Sequence, residues 1–227
     1  MPPNSPITPA RLDVGNRGHG PSLVFTHGWT DHLGSWTGMV DDLSADFRCI
    51  SWSIRAHGNS EVTPPGTYSR EHALTDMRSV ADLAEAPYVL IGHSLGGYLS
   101  LAHTLRYPDE VRALVLVGAG PGFSKPEAME QWNAMVDRSA ARNPVPEGAE
   151  VISKHYDSWV IDNLAGITVP ALVVVGEEDK QFVASAAVFE KRMNVRARVV
   201  VPDAGHSVHR QKPADVVAAI RPFLEGL

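Results

Sequence analysis

A serine set between glycines is the first group that could do chemistry. Gly92-His93-Ser94-Leu95-Gly96-Gly97 follows an apolar run, Tyr88 to Ile91, and precedes helical spacing through Leu99, Ala102 and Leu105. A strand, a tight turn and a helix in that order throw the central side chain out of a sheet, and glycines at 92 and 96 prevent collisions there. The helix that starts at the serine offers free N–H groups and a dipole favouring developing negative charge. A serine hydroxyl is a weak nucleophile at neutral pH, so it needs a base, and the base needs an orienting acid. Loops at the carboxyl ends of later strands are the places to search. Ala171 to Val175 is followed by Gly176-Glu177-Glu178-Asp179, and Arg198 to Val201 by Pro202-Asp203-Ala204-Gly205-His206. Ser94 is the candidate nucleophile, His206 the base, and Asp179 the acid, with Glu177 and Glu178 as its competitors.

The chain holds ten histidines. His19, His32 and His72 are expected in solvent, and His103 on a helix as a packed or surface residue. The turn should point His93 away from the serine's own direction. His206 and His209 are three apart, but no cysteine or other matched third ligand follows, so no metal is expected. An oxyanion needs two preorganised N–H donors. The Leu95 amide supplies one. The other is expected from His27-Gly28-Trp29, which ends the run Leu23 to Thr26, with the Trp29 amide as donor.

These groups require a scaffold. Six short runs rich in Val, Ile, Leu and aromatics punctuate the chain: Leu23 to Thr26, Phe47 to Trp52, Tyr88 to Ile91, Ala113 to Val117, Ala171 to Val175 and Arg198 to Val201. Most are apolar throughout, as strands buried on both faces of a parallel sheet are. Leu74, Met77, Ala81 and Ala84 recur at helical spacing between them, as do Val216, Ile220 and Phe223 near the end. Pro222 should kink or stop that last helix. The expected fold class is α/β: one mostly parallel open sheet with helices on both faces, residues 1–227 forming a single domain. About 50 residues separate Gly120 from Ala171. They carry one helical pattern (Met129, Trp132, Met135, Val136) and a second, weaker one from Ala149 to Leu164. Pro and Gly cluster at Pro121-Gly122, Pro126, Pro144, Pro146 and Gly148, as at hinges. This reads as a cap inserted at about 121–165, over the sheet edge.

Composition narrows the partners. The 227 residues carry 26 acidic and 20 basic side chains, a formal charge of −6, which gives no footprint for nucleic acid. Cys49 is the single cysteine, so an intrachain disulfide and a cysteine-based metal site are excluded. No apolar run approaches the roughly 18 residues of a membrane span. Met1-Pro2-Pro3-Asn4-Ser5-Pro6 has neither a basic nor an apolar leader region, so a cytoplasmic location is expected.

With these motifs in place, nearly the whole chain resembles the α/β-hydrolase family, in particular its serine esterase and lipase-like members. His27-Gly28-Trp29 is similar to the family's H-G-x motif, and the Ser94 turn to its nucleophile elbow. Gly176 to Asp179 matches G-x-x-D, and Gly205-His206 the G-H before the last helix. The order Ser94, Asp179, His206 is the family's order. The resemblance implies acyl transfer without metal or cofactor, since relatives that dehalogenate or open epoxides place Asp at the nucleophile. Two departures stand out. Where the family often has D-x-R-G-x-G-x-S, this chain has Ser53-Ile54-Arg55-Ala56-His57-Gly58-Asn59-Ser60, so weaker loop bracing is expected. The short stretch before Leu23 should curtail the antiparallel strands at the sheet edge.

The expected activity is hydrolysis of a small to medium carboxylic ester or lactone through an acyl-enzyme. The alternatives are C–C bond hydrolysis or peracid formation with the same triad, and a non-catalytic ligand receptor. Phe123, Met129, Trp132, Met135, Tyr156 and Trp159, with Lys125, Arg138 and Arg142, populate the cap. His27, His93, Trp132, Met135 and Trp159 are the candidates for substrate contact.

Overall fold

A computed structural model describes residues 7–143 and 145–227, so Pro144 and the first six residues lie outside the described part. Seven strands form one sheet: β1 (Val14–Arg17), β2 (Ser22–Thr26), β3 (Arg48–Trp52), β4 (Tyr88–His93), β5 (Val111–Val117), β6 (Ala171–Gly176) and β7 (Val195–Val201). Their spatial order is β1-β3-β2-β4-β5-β6-β7. Only β1 runs antiparallel, against β3; every other pair is parallel. The expected curtailment at the N-terminal edge is thus a single four-residue antiparallel strand.

Strands β2, β4 and β6 are buried at every residue, which explains their unbroken apolar runs. Their side chains alternate between two cores. Leu23 and Phe25 pack with Trp36, Met39, Val216 and Ile220, whereas Val24 packs on the other face with Leu74, Met77, Leu99 and Phe189. The first core is covered by α1 (Thr37–Leu43) and α8 (Pro213–Glu225). The second is covered by α2 (Arg70–Ala81), α3 (Leu95–Arg106) and α6 (Lys180–Arg192). Helix α2 is capped by Ser69, whose hydroxyl accepts the His72 N–H, and Ala84 falls beyond its end.

Two expectations about helices need correction. Pro222 does not stop α8, which runs on to Glu225. Proline deprives only the carbonyl one turn back of its bond, and burial of Val216, Ile220 and Leu224 holds the last turn in place. The weak pattern from Ala149 to Leu164 is no continuous helix. It breaks into a 3₁₀ turn at Ala149–Ser153, the single-turn α5 (Trp159–Asp162) and a 3₁₀ turn at Leu164–Gly166. Its other pattern is real and becomes α4 (Pro126–Arg142), between β5 and β6.

The segment after β3 is better braced than its departure from the family pattern predicted. Arg55, 2% exposed, grips Asp76 of α2 with Nε and Nη2 at 2.6 and 2.7 Å. Ser60 Oγ donates to the Ser53 carbonyl at 2.6 Å and accepts the Asp13 N–H at 2.8 Å. The Asp13 carboxylate accepts the Asn59 N–H at 3.3 Å, so a carboxylate from before β1 serves where Ser53 has none.

Candidate active site

Ser94 sits between β4 and α3 at φ 50, ψ −114, a left-handed conformation that a serine adopts only when its surroundings enforce it. The enforcement is visible nearby. Its N–H donates to the Val117 carbonyl at 3.0 Å. A Cβ on Gly92 would lie 2.5 Å from the Gly96 backbone, so the elbow closes only around glycine.

Asp179 follows β6, and His206 follows β7. His206 Nδ1 donates to Asp179 Oδ2 at 2.7 Å, which leaves Nε2 as the basic nitrogen. Glu177 and Glu178 are exposed while Asp179 is 9% exposed, and burial separates the three carboxylates that the sequence left in competition. The His206 ring stacks on Phe182 of α6 at 4.5 Å and 27°. Among the described residues no hydrogen bond joins the Ser94 hydroxyl to His206, although both line one cleft. Such bonds often tighten only around substrate.

The loop after β2 lies directly against the elbow. A Cβ built on Gly28 would come within 3.2 Å of Ser94 Cβ and 2.7 Å of His93 Nδ1. Neither the Trp29 amide nor the Leu95 amide donates a hydrogen bond among the described residues, so both are free to hold an oxyanion.

His27 does not reach the cleft, and its expected contact with substrate is not found. It is fully buried: its Nε2 accepts the Ile54 N–H at 2.9 Å and its Nδ1 donates to the Gly28 carbonyl at 2.7 Å. Burial holds it well below the usual imidazole range, and the neutral ring braces the loop instead. His57, unassigned in the sequence, works alike, donating to the Arg55 carbonyl at 2.9 Å and accepting the Thr30 N–H at 3.3 Å. Only its place in the Ser53–Ser60 segment could have marked it.

His93 is 3% exposed and lines the same cleft as Ser94, with Nε2 2.9 Å from the His206 carbonyl. Burial, then the neighbouring His209 and His206, hold it well below its ordinary value. His206 and His209 do not act as a pair: His206 faces Asp179 and the cleft, while His209 is 1% exposed. His103 is buried too, at 0% exposure.

Two chambers meet at Ser94. The first, about 190 Å³, is lined by Leu95, Tyr98, Phe123, Trp132, His155 and Phe182. The second, about 510 Å³, is lined by Trp29, Asp31, Met135, Asp179, His206 and Arg210. Trp132 belongs to both and Met135 to the second. Trp159 belongs to neither: its ring lies against the guanidinium groups of Arg70 and Arg106, at 5.2 and 5.6 Å. Tyr98, His155 and Phe182 were missed, although Tyr98 and Phe182 stand just after Ser94 and Asp179. Burial pushes His155 down to about 4, so it is a neutral ring packed among Tyr98, Phe123 and Trp132.

The stretch between β5 and β6 is tied down. Trp132 Nε1 donates to the Ser153 carbonyl at 2.7 Å, and Asn133 and His155 exchange two bonds of 2.8 Å. Arg70 of α2 holds Asp157 with both terminal nitrogens, at 2.7 and 2.9 Å. Among the described residues no helix is long and apolar enough to cross a membrane.

Comparison with known proteins agrees with this architecture. The chain is 26% identical to a putative 2-succinyl-6-hydroxy-2,4-cyclohexadiene-1-carboxylate synthase from Bacillus subtilis, over 91% of each chain. It is 25% identical to protein PHYLLO, chloroplastic, from Arabidopsis thaliana, over 93% of this chain but only 16% of that protein's length. Among solved structures it is similar to a thermophilic esterase from Thermogutta terrifontis, with TM-score 0.78, 26% identity, and 95% and 93% of the two chains covered. The model of the alpha/beta hydrolase fold matches residues 21–146, and that of the alpha/beta hydrolase family residues 120–220. With its mostly parallel sheet and its serine elbow after β4, the chain belongs to the alpha/beta hydrolase family.

Proposed function

We propose that this chain is a serine hydrolase that cleaves a small to medium carboxylic ester or lactone through an acyl-enzyme. The observation that carries the reading is the convergence on one cleft of Ser94 at its strained elbow, the 2.7 Å Asp179–His206 bond, and the free amides of Trp29 and Leu95. Ser94 attacks the carbonyl carbon as His206 Nε2 takes its proton, and the two amides receive the oxyanion. The leaving oxygen then takes that proton from His206, and water activated by the same imidazole releases the acid.

This proton path also orients the substrate. The leaving group must lie on the side of His206, which lines the wider chamber. The acyl group therefore takes the smaller chamber, whose walls are Tyr98, Phe123, Trp132 and Phe182. Its volume of about 190 Å³ suits a short apolar acyl chain. The esterase among the similar structures supports ester cleavage as the reaction class.

A fluorophosphonate probe tests the nucleophile. It should label the wild type and leave Ser94→Ala unlabelled; an unlabelled wild type overturns the reading. A series of p-nitrophenyl esters should then show rates that fall beyond short acyl chains. Faster turnover of a vinylogous diketone than of any ester would favour C–C cleavage instead.

A further inference from the structure

We propose that Asp31, His93 and His209 form a binding site for one divalent transition-metal ion of the Zn²⁺ type, beside the candidate nucleophile and open to the wider chamber. One ligand atom from each of the three lies within 4.8 Å of the others. None of the three is a member of the Ser94, Asp179, His206 set, and the site does not depend on the proposed reaction.

The two imidazoles are unusually suited to a metal. The His206 carbonyl can only accept, so His93 Nε2 carries the proton and Nδ1 keeps a bare lone pair, buried and without a hydrogen-bond partner. A metal-bound histidine characteristically has its second nitrogen held by a carbonyl in this way. His209 is 1% exposed and neither of its ring nitrogens has a partner. A neutral imidazole has one donor and one acceptor to satisfy, and burial leaves both orphaned here. The two rings face one another at 4.2 Å between centroids, and Trp36 backs His209 at 4.5 Å.

Asp31 completes the set with a charge. It lines the wider chamber together with His93, which supplies an entry path. Its Oδ1 accepts the His32 N–H at 2.9 Å, and its Oδ2 lies 3.7 Å from Arg210 Nη1. Arg210 is the competing cation, but its side chain is 58% exposed and free to swing into solvent. Two imidazoles and a carboxylate are a zinc donor set, with a fourth position left toward the chamber. Metal bonds of about 2.0–2.2 Å require the three residues to close in from their present spread. The elements can do so: Asp31 stands on the loop after β2, and His209 on the four-residue α7 (Val208–Gln211). A bound ion would tie that loop to α7.

The test is titration of chelator-treated full-length protein with ZnCl₂ by calorimetry. One ion per chain is expected, together with a thermal midpoint that rises with zinc. Asp31→Asn and His209→Gln should each weaken binding by about tenfold or more. His206→Gln should leave it unchanged. Co²⁺ should give the visible bands of tetrahedral nitrogen and oxygen coordination in the wild type and lose them in His209→Gln. Absence of saturable zinc binding overturns the site. So does binding that survives both Asp31→Asn and His209→Gln, or that is lost in His206→Gln, which would place the ion on the candidate catalytic pair. If His209→Gln does not fold by circular dichroism, Asp31→Asn, on a partly exposed loop, decides the matter.

Discussion

Around Ser94 the neighbouring groups act by holding one another still. Asp179 fixes the tautomer of His206, so Asp179→Asn should keep the fold by circular dichroism and lower kcat by about 10⁴-fold. His27 acts at one remove, spanning from the Ile54 N–H to the Gly28 carbonyl. His27→Ala should free the Trp29 amide from its alignment and cost about 10²-fold in kcat with little change in KM, measured on the best p-nitrophenyl ester. A rise in KM at constant kcat would instead assign His27 to substrate binding. The placement of Ser94, Asp179 and His206 around one cleft was legible because each follows an apolar run at the carboxyl end of a strand. His27 was misread because its partner Ile54 is brought by another strand, and no local spacing reveals that bond.

Elements are held in place by a few polar clamps, of which Arg55–Asp76 is the most buried. Both side chains are within 2% of full burial, and Asp76 also accepts the Ala10 N–H at 2.8 Å. Asp76→Ala would strand a buried guanidinium, at a cost of about 3–5 kcal/mol. Calorimetry should register a fall in Tm of about 10 °C, given how stability scales for a chain of this size. A fall of only a degree or two would mean that water reaches Arg55 readily. The central strands were readable because burial on both faces demands unbroken apolar runs. Strand β1 was not, since an exposed edge strand of four residues has no face to encode. Strand β7 extends three residues earlier than its apolar run, because Arg196 and Arg198 stand exposed on the edge between Val195, Ala197 and Val199. The stretch from Ala149 to Leu164 shows a weak helical period without a helix, because turns pinned by side-chain bonds imitate one.

Across the whole molecule, buried neutral histidines couple stability to pH. His103 in the core and His155 after the Ala149–Ser153 turn are each pushed by burial from 6.5 down to about 4. Above pH 6.5 both are neutral, folded or unfolded, and contribute nothing to pH dependence. Below it the unfolded chain binds protons that the folded chain refuses, so stability falls as pH drops toward 4, by about 1.4 kcal/mol per unit for each group at most. Urea unfolding at pH 7 and pH 5 should show the lower midpoint at pH 5. Equal midpoints would show that these rings gain protons without unfolding.

The two chambers have a further consequence. Phe123, Trp132, Ser153 and His155, which wall the smaller one, all come from the single stretch between β5 and β6, while Ser94, Asp179 and His206 stand on loops outside it. Tyr98 and Phe182, from α3 and α6, complete that wall, so the insertion supplies part of the proposed acyl site and none of the candidate triad. A chimaera carrying another hydrolase's insertion between Gly120 and Ala171 should shift its chain-length preference toward the donor's and retain fluorophosphonate labelling at Ser94. On the proposed function the protein is in that sense a socket with an exchangeable fitting, whose floor of Tyr98 and Phe182 stays with the host.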